Sequence, residues 1–318
     1  MRKLLVYRPL DESLQQKIHS SLPDWEVVYA NSLEQFEEHL QDSEIIAGWR
    51  KNNKNDLLAS NQKLKWIQTW SAGINYLPLD LLEKKSITLT NATGIHAYPI
   101  SETIFAMLLA FTRKLPTYLE QQQKKVWHHA NLNLELHEKT IGILGIGAIG
   151  KETAKIAKAF NMTVLGFRTS PTPFIHVDEM YTLDELDEQL PRCDYVVVTL
   201  PLTPKTKHLF TSKQFQLMKE SCYFINIGRG PISVESDLVE ALQMGQIAGA
   251  GLDVFDIEPL PDTHPLWQLE NVIITPHTAG NSEKYDERMI EDIFLPNLQN
   301  YLEKNKLLIN VIDYNRGY

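Results

Sequence analysis

Short apolar runs alternate with longer stretches of helical periodicity along the chain. The first runs are KLLVY, EVVY, EIIAGW, KWIQTW and ITLT, and the later ones are TIGILG, TVLGF, YVVVTL, YFINIG, AGAGLDV and NVIIT. Most are rich in Val, Ile and Thr, and several are almost continuously apolar, which is typical of strands buried on both faces of a sheet. Strands that alternate with helices in this way predict parallel sheets and an α/β fold.

The runs form two groups, of five and six predicted strands. Apolar residues recur at helical spacing at Ile100, Ile104, Met107, Leu108 and Phe111, and again at Ile149, Ile156, Ala157 and Phe160. The first of these patterns, ISETIFAMLLAFTRKL, predicts a long helix that leads from one group into the other. The tail FLPNLQNYLEKNKLLINVIDYNRGY begins as a helix and has no sheet of its own, so we expect it to return to the first group. We therefore predict one domain at 1–97 plus 288–318 and a second at 98–287.

Length and charge narrow the class of protein. The 318 residues suffice for two domains, and 43% hydrophobic and 22% charged residues are ordinary for a soluble globular protein. Because the net charge is −9, we expect no nucleic-acid partner, although a few local cations can still bind a small anionic substrate. The N-terminal stretch MRKLLVYRPLDESL has too short an apolar run for a signal sequence or a membrane span, so we expect a cytoplasmic protein with no membrane association.

The two cysteines predict a structural role. Cys193 and Cys222 each begin an apolar run, and neither belongs to a CxxC motif or to a set of zinc ligands. We expect both to be buried, unpaired thiols in a reducing compartment, and we expect no metal site.

A glycine-rich loop follows the run TIGIL and opens the helical pattern that continues to about Phe160. In this GxGxxG motif, Gly145 permits a tight turn, Gly147 lets the backbone approach a pyrophosphate, and Gly150 lets the helix pack closely on the strand. The free N–H groups and the positive end of the helix favour phosphates, so the motif predicts a dinucleotide site. The alternative is that the three glycines serve packing alone.

The next run, TVLGF, ends on a cation where the acid of an NAD site is expected. Arg168, Thr169 and Ser170 occupy this position, and Asp178 comes too late in the chain. An arginine makes charge-assisted hydrogen bonds to a phosphate and the hydroxyls add neutral ones, which favours the 2′-phosphate of NADP(H) roughly ten- to a hundredfold. The alternative is a solvated Arg168 that stacks on adenine without a preference, in which case NAD(H) also serves.

Three later strands end in polar motifs. YFINIGRG puts Arg229 just beyond a strand, GAGLDVFDIEPLP puts Asp253 at a strand end and Glu258 in the following loop, and NVIITPHTAG puts His277 beyond the last strand. In an open parallel sheet, ligands bind at the carboxyl ends of the strands. We therefore expect these four side chains to border the crevice that holds the cofactor.

Together these motifs resemble those of the D-isomer-specific 2-hydroxyacid dehydrogenases, with glyoxylate/hydroxypyruvate reductases among them. The matching stretches are WSAGINYLPLD, ISE, GILGIGAIG, LPLTPKTKHLF, NIGRGPIS, ALQMGQIAGAGLDVFDIEPLP and HPLWQLENVIITPHTAG, which occur in the family's order from about residue 65 onward. The resemblance implies an α/β protein of two doubly wound parallel-sheet domains, a flavodoxin-like substrate domain and a Rossmann dinucleotide domain, with a cleft between them. It also implies hydride transfer from NAD(P)H to a small 2-keto acid, which yields a D-2-hydroxy acid.

The resemblance assigns roles to the polar motifs. Arg229 would bind the substrate carboxylate and polarise the 2-keto oxygen. His277 would donate the proton to that oxygen, and Glu258 would pair with the imidazole and fix its orientation. The backbone of Ala72 and Gly73, in the WSAG turn, would supply N–H donors to the carboxylate from the other domain.

The resemblance also implies contacts to the cofactor. Asp253 would hold the nicotinamide carboxamide, although an acid at a strand end can also cap the next turn. The complete set of predicted cofactor contacts is Gly145, Gly147, Ala148, Ile149, Gly150, Arg168, Thr169, Ser170, Leu200, Pro201, Thr206, Ile227, Asp253 and Ala279.

Substrate choice is less well determined by the sequence. Trp49 and Arg50 end an early strand, and Arg50 would either bind a second anionic group or lie on the surface. Asn75 stands where the family often has Asp, and we attach no loss of function to it. Glu258 is not the glutamine of the related formate dehydrogenases, which favours keto-acid reduction. Glyoxylate and hydroxypyruvate are expected by resemblance, and a large aliphatic or aromatic 2-keto acid stays open.

Assembly and the competing function rest on resemblance as well. The helix at 100–111 and the stretch YLEQQQKKVWHHANLNLEL resemble the family's dimer arm, with Trp127 as an apolar anchor, so we expect a homodimer. The alternative is a helix that packs within its own chain. The competing function is a non-catalytic NAD(P)(H) sensor or corepressor-like interaction protein. The intact Arg229, Glu258 and His277 favour a catalytic function over this alternative.

Overall fold

The computed structural model describes residues 1–49, 58, 60–74, 76–130 and 132–314. The chain separates into two compact units, Met1–Ile95 with Ser282–Tyr318, and His96–Asn281. The boundaries predicted from the sequence lie two residues further along the chain at the first junction (97 against 95) and six at the second (287 against 281). Arg50 and Asn75, singled out above, lie outside the described residues.

The described part of the first unit contains a five-stranded parallel sheet. Its strands are β1 (Arg2–Val6), β2 (Trp25–Tyr29), β3 (Ile45–Trp49), β4 (Trp66–Thr69) and β5 (Thr88–Thr90). They pair in the order β2-β1-β3-β4-β5, and every pair is parallel. Strands β3 and β4 are buried along their whole length, as the near-continuous apolar runs predict.

Helices supply the apolar surface for both faces of this sheet. Among the described residues they are Glu12–Ser21, Leu33–Leu40, Leu79–Lys84, Tyr285–Arg288, the π-helical turn Met289–Phe294 and Leu295–Lys304. Alternate strand residues enter separate clusters, because successive side chains of a strand point to opposite faces. Leu5 packs in a cluster with Phe36, whereas Leu4 packs in another with Ile18 and Phe294.

The described part of the C-terminal segment runs past β5. Asn297 is fully buried, donates from Nδ2 to the carbonyl of Ile309 at 2.8 Å, and accepts at Oδ1 from the N–H groups of Leu308 and Ile309 at 3.0 and 2.9 Å. Val311 then forms an antiparallel bridge with Thr90. One buried amide therefore fixes the chain where it leaves the last helix.

The second unit contains a seven-stranded parallel sheet among its described residues. Its strands are β6 (Thr140–Leu144), β7 (Thr163–Phe167), β8 (Glu179–Tyr181), β9 (Tyr195–Val198), β10 (Tyr223–Asn226), β11 (Gly249–Leu252) and β12 (Val272–Ile274). They pair in the order β12-β11-β10-β9-β6-β7-β8. The prediction of six strands is wrong, because it does not include β8. This is a three-residue, half-buried edge strand with the sequence EMY, and it lacks the apolar run of the other strands.

The helices of the second unit are Ala97–Thr112, Leu115–Gln123, Ala148–Ala159, Leu186–Gln189, Ser212–Leu217 and Glu235–Gln243, with 3-10 turns at Leu183–Glu185, Leu190–Arg192, Gly230–Ile232 and Pro265–Gln268. Alternate residues of the strands again pack in two clusters, one with Leu144 and the other with Ile143. The predicted fold class, two doubly wound parallel-sheet α/β domains, is confirmed.

Both cysteines are free and buried, as predicted. Burial raises the pKa of Cys193 to about 12, so this thiol stays protonated. None of the described helices has the length and apolar character that a membrane span requires.

Candidate active site

The candidate residues of the second unit follow the carboxyl ends of its parallel strands. Gly145 follows β6, Arg168 follows β7, Leu200 follows β9, Ile227 and Arg229 follow β10, Asp253 follows β11 and His277 follows β12. Because these strands are parallel, their carboxyl ends form one edge of the sheet, where ligands of such folds bind.

The glycine loop has the backbone shape that a phosphate needs. Gly145 has a φ of +104°, a conformation that L side chains rarely adopt. A Cβ on Gly150 would lie 2.0 Å from the carbonyl oxygen of Gly145, so only glycine lets the helix approach the strand here. A Cβ on Gly147 would meet no atom within 4 Å, so packing does not explain this glycine.

The helix Ala148–Ala159 presents its amino end at this loop. Gly147 is its N-cap residue and has no side chain to cap it, so the first N–H groups of the helix have no acceptor within the helix. Ala148 is exposed and Ile149 half-buried beside them. The open space at Gly147 and these N–H groups together fit the pyrophosphate of a dinucleotide.

The end of β7 offers a cation and two hydroxyls. Arg168, Thr169 and Ser170 are all exposed, and the N–H of Arg168 donates to the carbonyl of Tyr181 at 3.0 Å. Asp178 lies at the opposite end of the strand, where it accepts from Lys158 Nζ at 2.8 Å and from the N–H of Val164 at 2.7 Å. Asp178 therefore supplies no carboxylate at the carboxyl end of β7.

His277 and Glu258 form a hydrogen-bonded pair. Nδ1 of His277 lies 2.7 Å from Oε2 of Glu258, and the other carboxylate oxygen accepts from the N–H of Phe255 at 3.0 Å. His277 has a φ of +53° and a side chain that is 49% exposed. Because Nδ1 faces a carboxylate, Nε2 is the ring nitrogen left for a substrate.

Arg229 is exposed and projects from a turn that a buried side chain shapes. Asn226 donates from Nδ2 to the carbonyl of Arg229 at 3.0 Å and accepts at Oδ1 from the N–H of Gly228 at 3.0 Å. The guanidinium makes one hydrogen bond among the described residues, from Nη1 to the carbonyl of Gly228 at 2.7 Å. Its remaining donors are available to an anion.

The arginine turn and the glutamate loop pack directly on each other. A Cβ on Gly230 would lie 2.1 Å from the carbonyl carbon of Phe255, whose N–H in turn binds Glu258. This contact connects Arg229, Glu258 and His277 through neighbouring backbone. The packing role of Gly230 was not predicted from the motif NIGRGPIS, although a glycine directly after a functional arginine was the available signal.

Asp253 organises the loop that carries His277. It is 2% exposed and accepts at Oδ1 from Thr275 Oγ1 at 2.5 Å and from the N–H groups of Thr278 and Ala279 at 2.9 and 3.2 Å. Its other oxygen accepts from Ala279 at 3.1 Å. The carboxylate thus binds both sides of His277, and its contact with a nicotinamide carboxamide stays a prediction.

The other predicted cofactor contacts differ in exposure. Leu200, Ile227, Ala279 and Thr206 are buried, whereas Pro201 is exposed. Thr206 donates from Oγ1 to the carbonyl of Pro201 at 2.7 Å and so closes the loop after β9. The hydroxyl of Thr206 therefore supports this loop within the protein.

A second histidine–glutamate pair lies elsewhere in this unit. Nε2 of His264 lies 2.9 Å from Oε1 of Glu235, and Nδ1 accepts from the N–H of Leu266 at 3.3 Å. Because both ring nitrogens are engaged within the protein, His264 has a structural role at the start of the turn Pro265–Gln268.

In the first unit, the WSAG turn follows β4 and has all four of its carbonyl groups hydrogen-bonded. The donors are Tyr285 Oη to Trp70, Thr69 Oγ1 to Ser71 at 2.9 Å, Asn91 Nδ2 to Ala72 at 2.8 Å, and Ser71 Oγ to Gly73 at 2.8 Å. Within the described ranges, the N–H groups of Ala72 and Gly73 donate to no acceptor. Two N–H groups beside fixed carbonyls are suited to bind an anion.

Comparison with known proteins identifies the family. The model of the D-isomer specific 2-hydroxyacid dehydrogenase NAD binding domain matches residues 105–279. A glyoxylate/hydroxypyruvate reductase B of Escherichia fergusonii is 32% identical over 314 residues, which cover 95% of this chain and 96% of the relative. A D-3-phosphoglycerate dehydrogenase of Methanocaldococcus jannaschii is 32% identical over 292 residues; the match covers 89% of this chain but only 54% of that relative.

Solved structures share the fold over nearly the whole chain. A D-isomer specific 2-hydroxyacid dehydrogenase family protein of Aeromonas salmonicida has a TM-score of 0.86 and 34% identity, with 98% of this chain and 99% of that chain covered. An NADPH-dependent glyoxylate/hydroxypyruvate reductase of Sinorhizobium meliloti, in complex with NADP and sulfate, has a TM-score of 0.81 and 27% identity, with 100% of both chains covered.

Proposed function

We propose a reaction for this chain, which belongs to the D-isomer specific 2-hydroxyacid dehydrogenases and is an NAD(P)-dependent oxidoreductase. It reduces a small 2-keto acid to the D-2-hydroxy acid, with NADPH as the favoured reductant. The observation that carries the proposal is the contact of 2.7 Å between His277 and Glu258 at the carboxyl edge of the sheet. The relative of Escherichia fergusonii and the structure of Sinorhizobium meliloti, both glyoxylate/hydroxypyruvate reductases, support glyoxylate and hydroxypyruvate as substrates.

Each polar residue has a role in this reduction. A reduced nicotinamide, when bound, supplies the hydride for C2 of the keto acid. Arg229 binds the substrate carboxylate and polarises the 2-keto oxygen with guanidinium donors that no other described residue uses. His277 donates a proton from Nε2 to that oxygen, and Glu258 holds the ring by Nδ1. In the oxidative direction the same nitrogen takes the proton back.

The WSAG turn binds the substrate carboxylate in this proposal. Its N–H groups at Ala72 and Gly73 have no acceptor in the described protein, and its carbonyls are held in place. An anion that accepts both N–H groups would satisfy donors that otherwise depend on water. The first unit accordingly acts as the substrate domain, and the second unit acts as the dinucleotide domain.

The preference for NADPH rests on the end of β7. Arg168, Thr169 and Ser170 are exposed there, and Asp178 is bound at the other end of the strand. A carboxylate at this position would repel a 2′-phosphate, whereas a guanidinium attracts one. NAD(H) can still bind, because the glycine loop contacts only what the two cofactors share.

We also propose a homodimer and a cytoplasmic location. Leu115, Leu119, Val126 and Trp127 are exposed on one stretch of chain after the helix Ala97–Thr112, and an apolar surface of this kind is suited to a partner subunit. The free thiols of both cysteines are in keeping with a reducing compartment.

Consumption of NADPH against a panel of 2-keto acids tests the function. We expect turnover of glyoxylate, hydroxypyruvate or a larger 2-keto acid, and a loss of kcat of roughly a hundred- to ten-thousandfold in His277→Gln, because the proton donor is removed. His264→Gln is the matched control, since it also removes a histidine paired with a glutamate, and should keep its kcat. Wild-type protein that binds NADPH but reduces no 2-keto acid would support the sensor instead, and full activity in His277→Gln would refute the assigned chemistry.

A further inference from the structure

One carboxylate of the first unit accepts hydrogen bonds from three N–H donors of two side chains at the carboxyl edge of its sheet. Asp286 accepts at Oδ1 from Trp70 Nε1 at 2.8 Å and from Arg8 Nε at 2.9 Å. Its Oδ2 accepts from Arg8 Nη2 at 3.2 Å. Arg8 follows β1 and Trp70 follows β4, so Asp286 connects the ends of two strands that are not neighbours in the sheet.

The preceding residue holds the other end of the same tryptophan. The hydroxyl of Tyr285 donates to the carbonyl of Trp70, and the guanidinium of Arg8 lies 5.9 Å from the Tyr285 ring. Burial raises the pKa of Tyr285 to about 12, so the hydroxyl stays protonated and remains a donor. Two consecutive residues therefore fix the indole and the carbonyl of Trp70.

Trp70 is the first residue of the WSAG turn. The other carbonyls of that turn are held by Thr69 and Ser71, each two positions away, and by Asn91, 19 positions away. The carbonyl of Trp70 is held from a residue 215 positions further along the chain. The direction in which the turn leaves β4 thus depends on the segment that contains Tyr285 and Asp286.

A surface ion pair alone would contribute little here. Arg8 and Asp286 have side chains that are 37% and 29% exposed, and exposed pairs of this kind stabilise a protein weakly. The indole N–H adds a charge-assisted bond to the same carboxylate, and the bidentate arginine fixes the rotation of that carboxylate. The arrangement is therefore suited to orientation more than to stability.

We propose that Asp286, together with Tyr285, is a positioning residue for the N–H groups of Ala72 and Gly73. This inference rests on the proposed function, in which those N–H groups bind the carboxylate of the keto acid. Donors held in place before the ligand arrives need no reorganisation when it binds, which is why a loose turn would weaken binding.

Substitutions at both partners test the inference, with oxalate as an unreactive carboxylate probe. In Asp286→Ala we expect the Kd of oxalate, measured calorimetrically with NADP bound, and the KM of glyoxylate to rise roughly tenfold, the loss of about one charged hydrogen bond. Asp286→Asn keeps an acceptor for Trp70 and should give a smaller rise, and Trp70→Phe should match Asp286→Ala. The kcat and the affinity for NADPH should change much less than the KM.

Glu287→Gln is the matched control, because Glu287 is the next residue and pairs only with the exposed Lys284 at 2.8 Å among the described residues. The inference is overturned, while the function stands, if Asp286→Ala and Glu287→Gln bind oxalate with equal affinity. It is also overturned if Asp286→Ala lowers the Tm without a change in KM. Wild-type protein that binds oxalate but turns over no keto acid overturns the function, and the oxalate affinities still decide the inference. Wild-type protein that binds no oxalate overturns the inference.

Discussion

Among single residues, Arg168 stands directly after β7, where an NAD site has an acid. Its backbone N–H donates to the carbonyl of Tyr181 at the edge of the sheet, whereas its side chain is exposed. Burial acts to raise the pKa of Asp178, but hydrogen bonds from Lys158 and from the N–H of Val164 outweigh it and hold that pKa below its usual value. Asp178 is thus a bound anion at the far end of β7 and cannot take the place of the missing ribose acid.

Replacement of Arg168 should change the choice of cofactor. In Arg168→Ala we expect kcat/KM with NADPH to fall roughly ten- to a hundredfold, because a charge-assisted bond to the 2′-phosphate is lost. The value with NADH should stay nearly the same. Steady-state kinetics with both cofactors measures the ratio, and Arg113→Ala, another exposed arginine of this unit, is the control. An equal loss with both cofactors would show that Arg168 does not read the 2′-phosphate.

Their positions after predicted strands put His277 and Glu258 among the candidates, because the carboxyl ends of parallel strands meet at one edge. Their pairing and their roles were predicted from the family resemblance. The hydrogen bonds of Asp253 and the close packing of Gly230 on Phe255 were out of reach, since they depend on distances between loops that sequence spacing does not give. The bonds of Asp253 are the clearest example. In the sequence, an acid whose buried carboxylate binds two N–H groups and a hydroxyl looks the same as any other acid at a strand end.

At the scale of elements, apolar runs located strands well and element ends poorly. β8 has no apolar run and was missed. The helix expected to extend through Leu115 ends at Thr112, and a new helix, Leu115–Gln123, begins after Lys114. Lys114 has a φ of +54°, a backbone state that turns the chain and leaves no trace in the hydrophobic pattern. Local backbone geometry therefore limited the prediction more than the arrangement of strands did.

The last helix depends on a single amide for its connection to the chain that follows. Asn297→Ala removes the three hydrogen bonds of a fully buried amide, and the partly buried backbone groups of Leu308 and Ile309 lose that partner. We expect a loss of about 2–3 kcal/mol in the free energy of unfolding, seen as a lower Tm by calorimetry and faster proteolysis after this helix. Gln299→Ala, an exposed change on the same helix, should leave both unchanged. Resistance of Asn297→Ala to protease at the wild-type level would contradict this account.

For the complete chain, charge bears on the binding of small anionic ligands, and exposed apolar side chains bear on the binding of a protein partner. The net charge of −9 is distributed over the chain, yet the proposed ligand sites expose Arg229 and Arg168, so anions are attracted locally. Among the described residues, Trp127 is the most exposed of the large apolar side chains, at 98%, and the same stretch also exposes Leu119 and Val126. An isolated tryptophan on a surface needs no explanation, but a row of apolar side chains does.

The proposed homodimer accounts for this row, and the mass in solution tests it. The mass of wild-type protein, measured by sedimentation equilibrium, should be twice the 36.5 kDa of one chain. Since a buried tryptophan often contributes about 2 kcal/mol or more to an interface, Trp127→Ser should raise the dissociation constant of the dimer roughly thirtyfold or more. Trp267→Ser removes a tryptophan that is 51% exposed outside this stretch and should leave the mass unchanged. If wild-type protein is a monomer at every concentration, or if Trp127→Ser dissociates no more readily than Trp267→Ser, the apolar stretch does not join two copies of the chain.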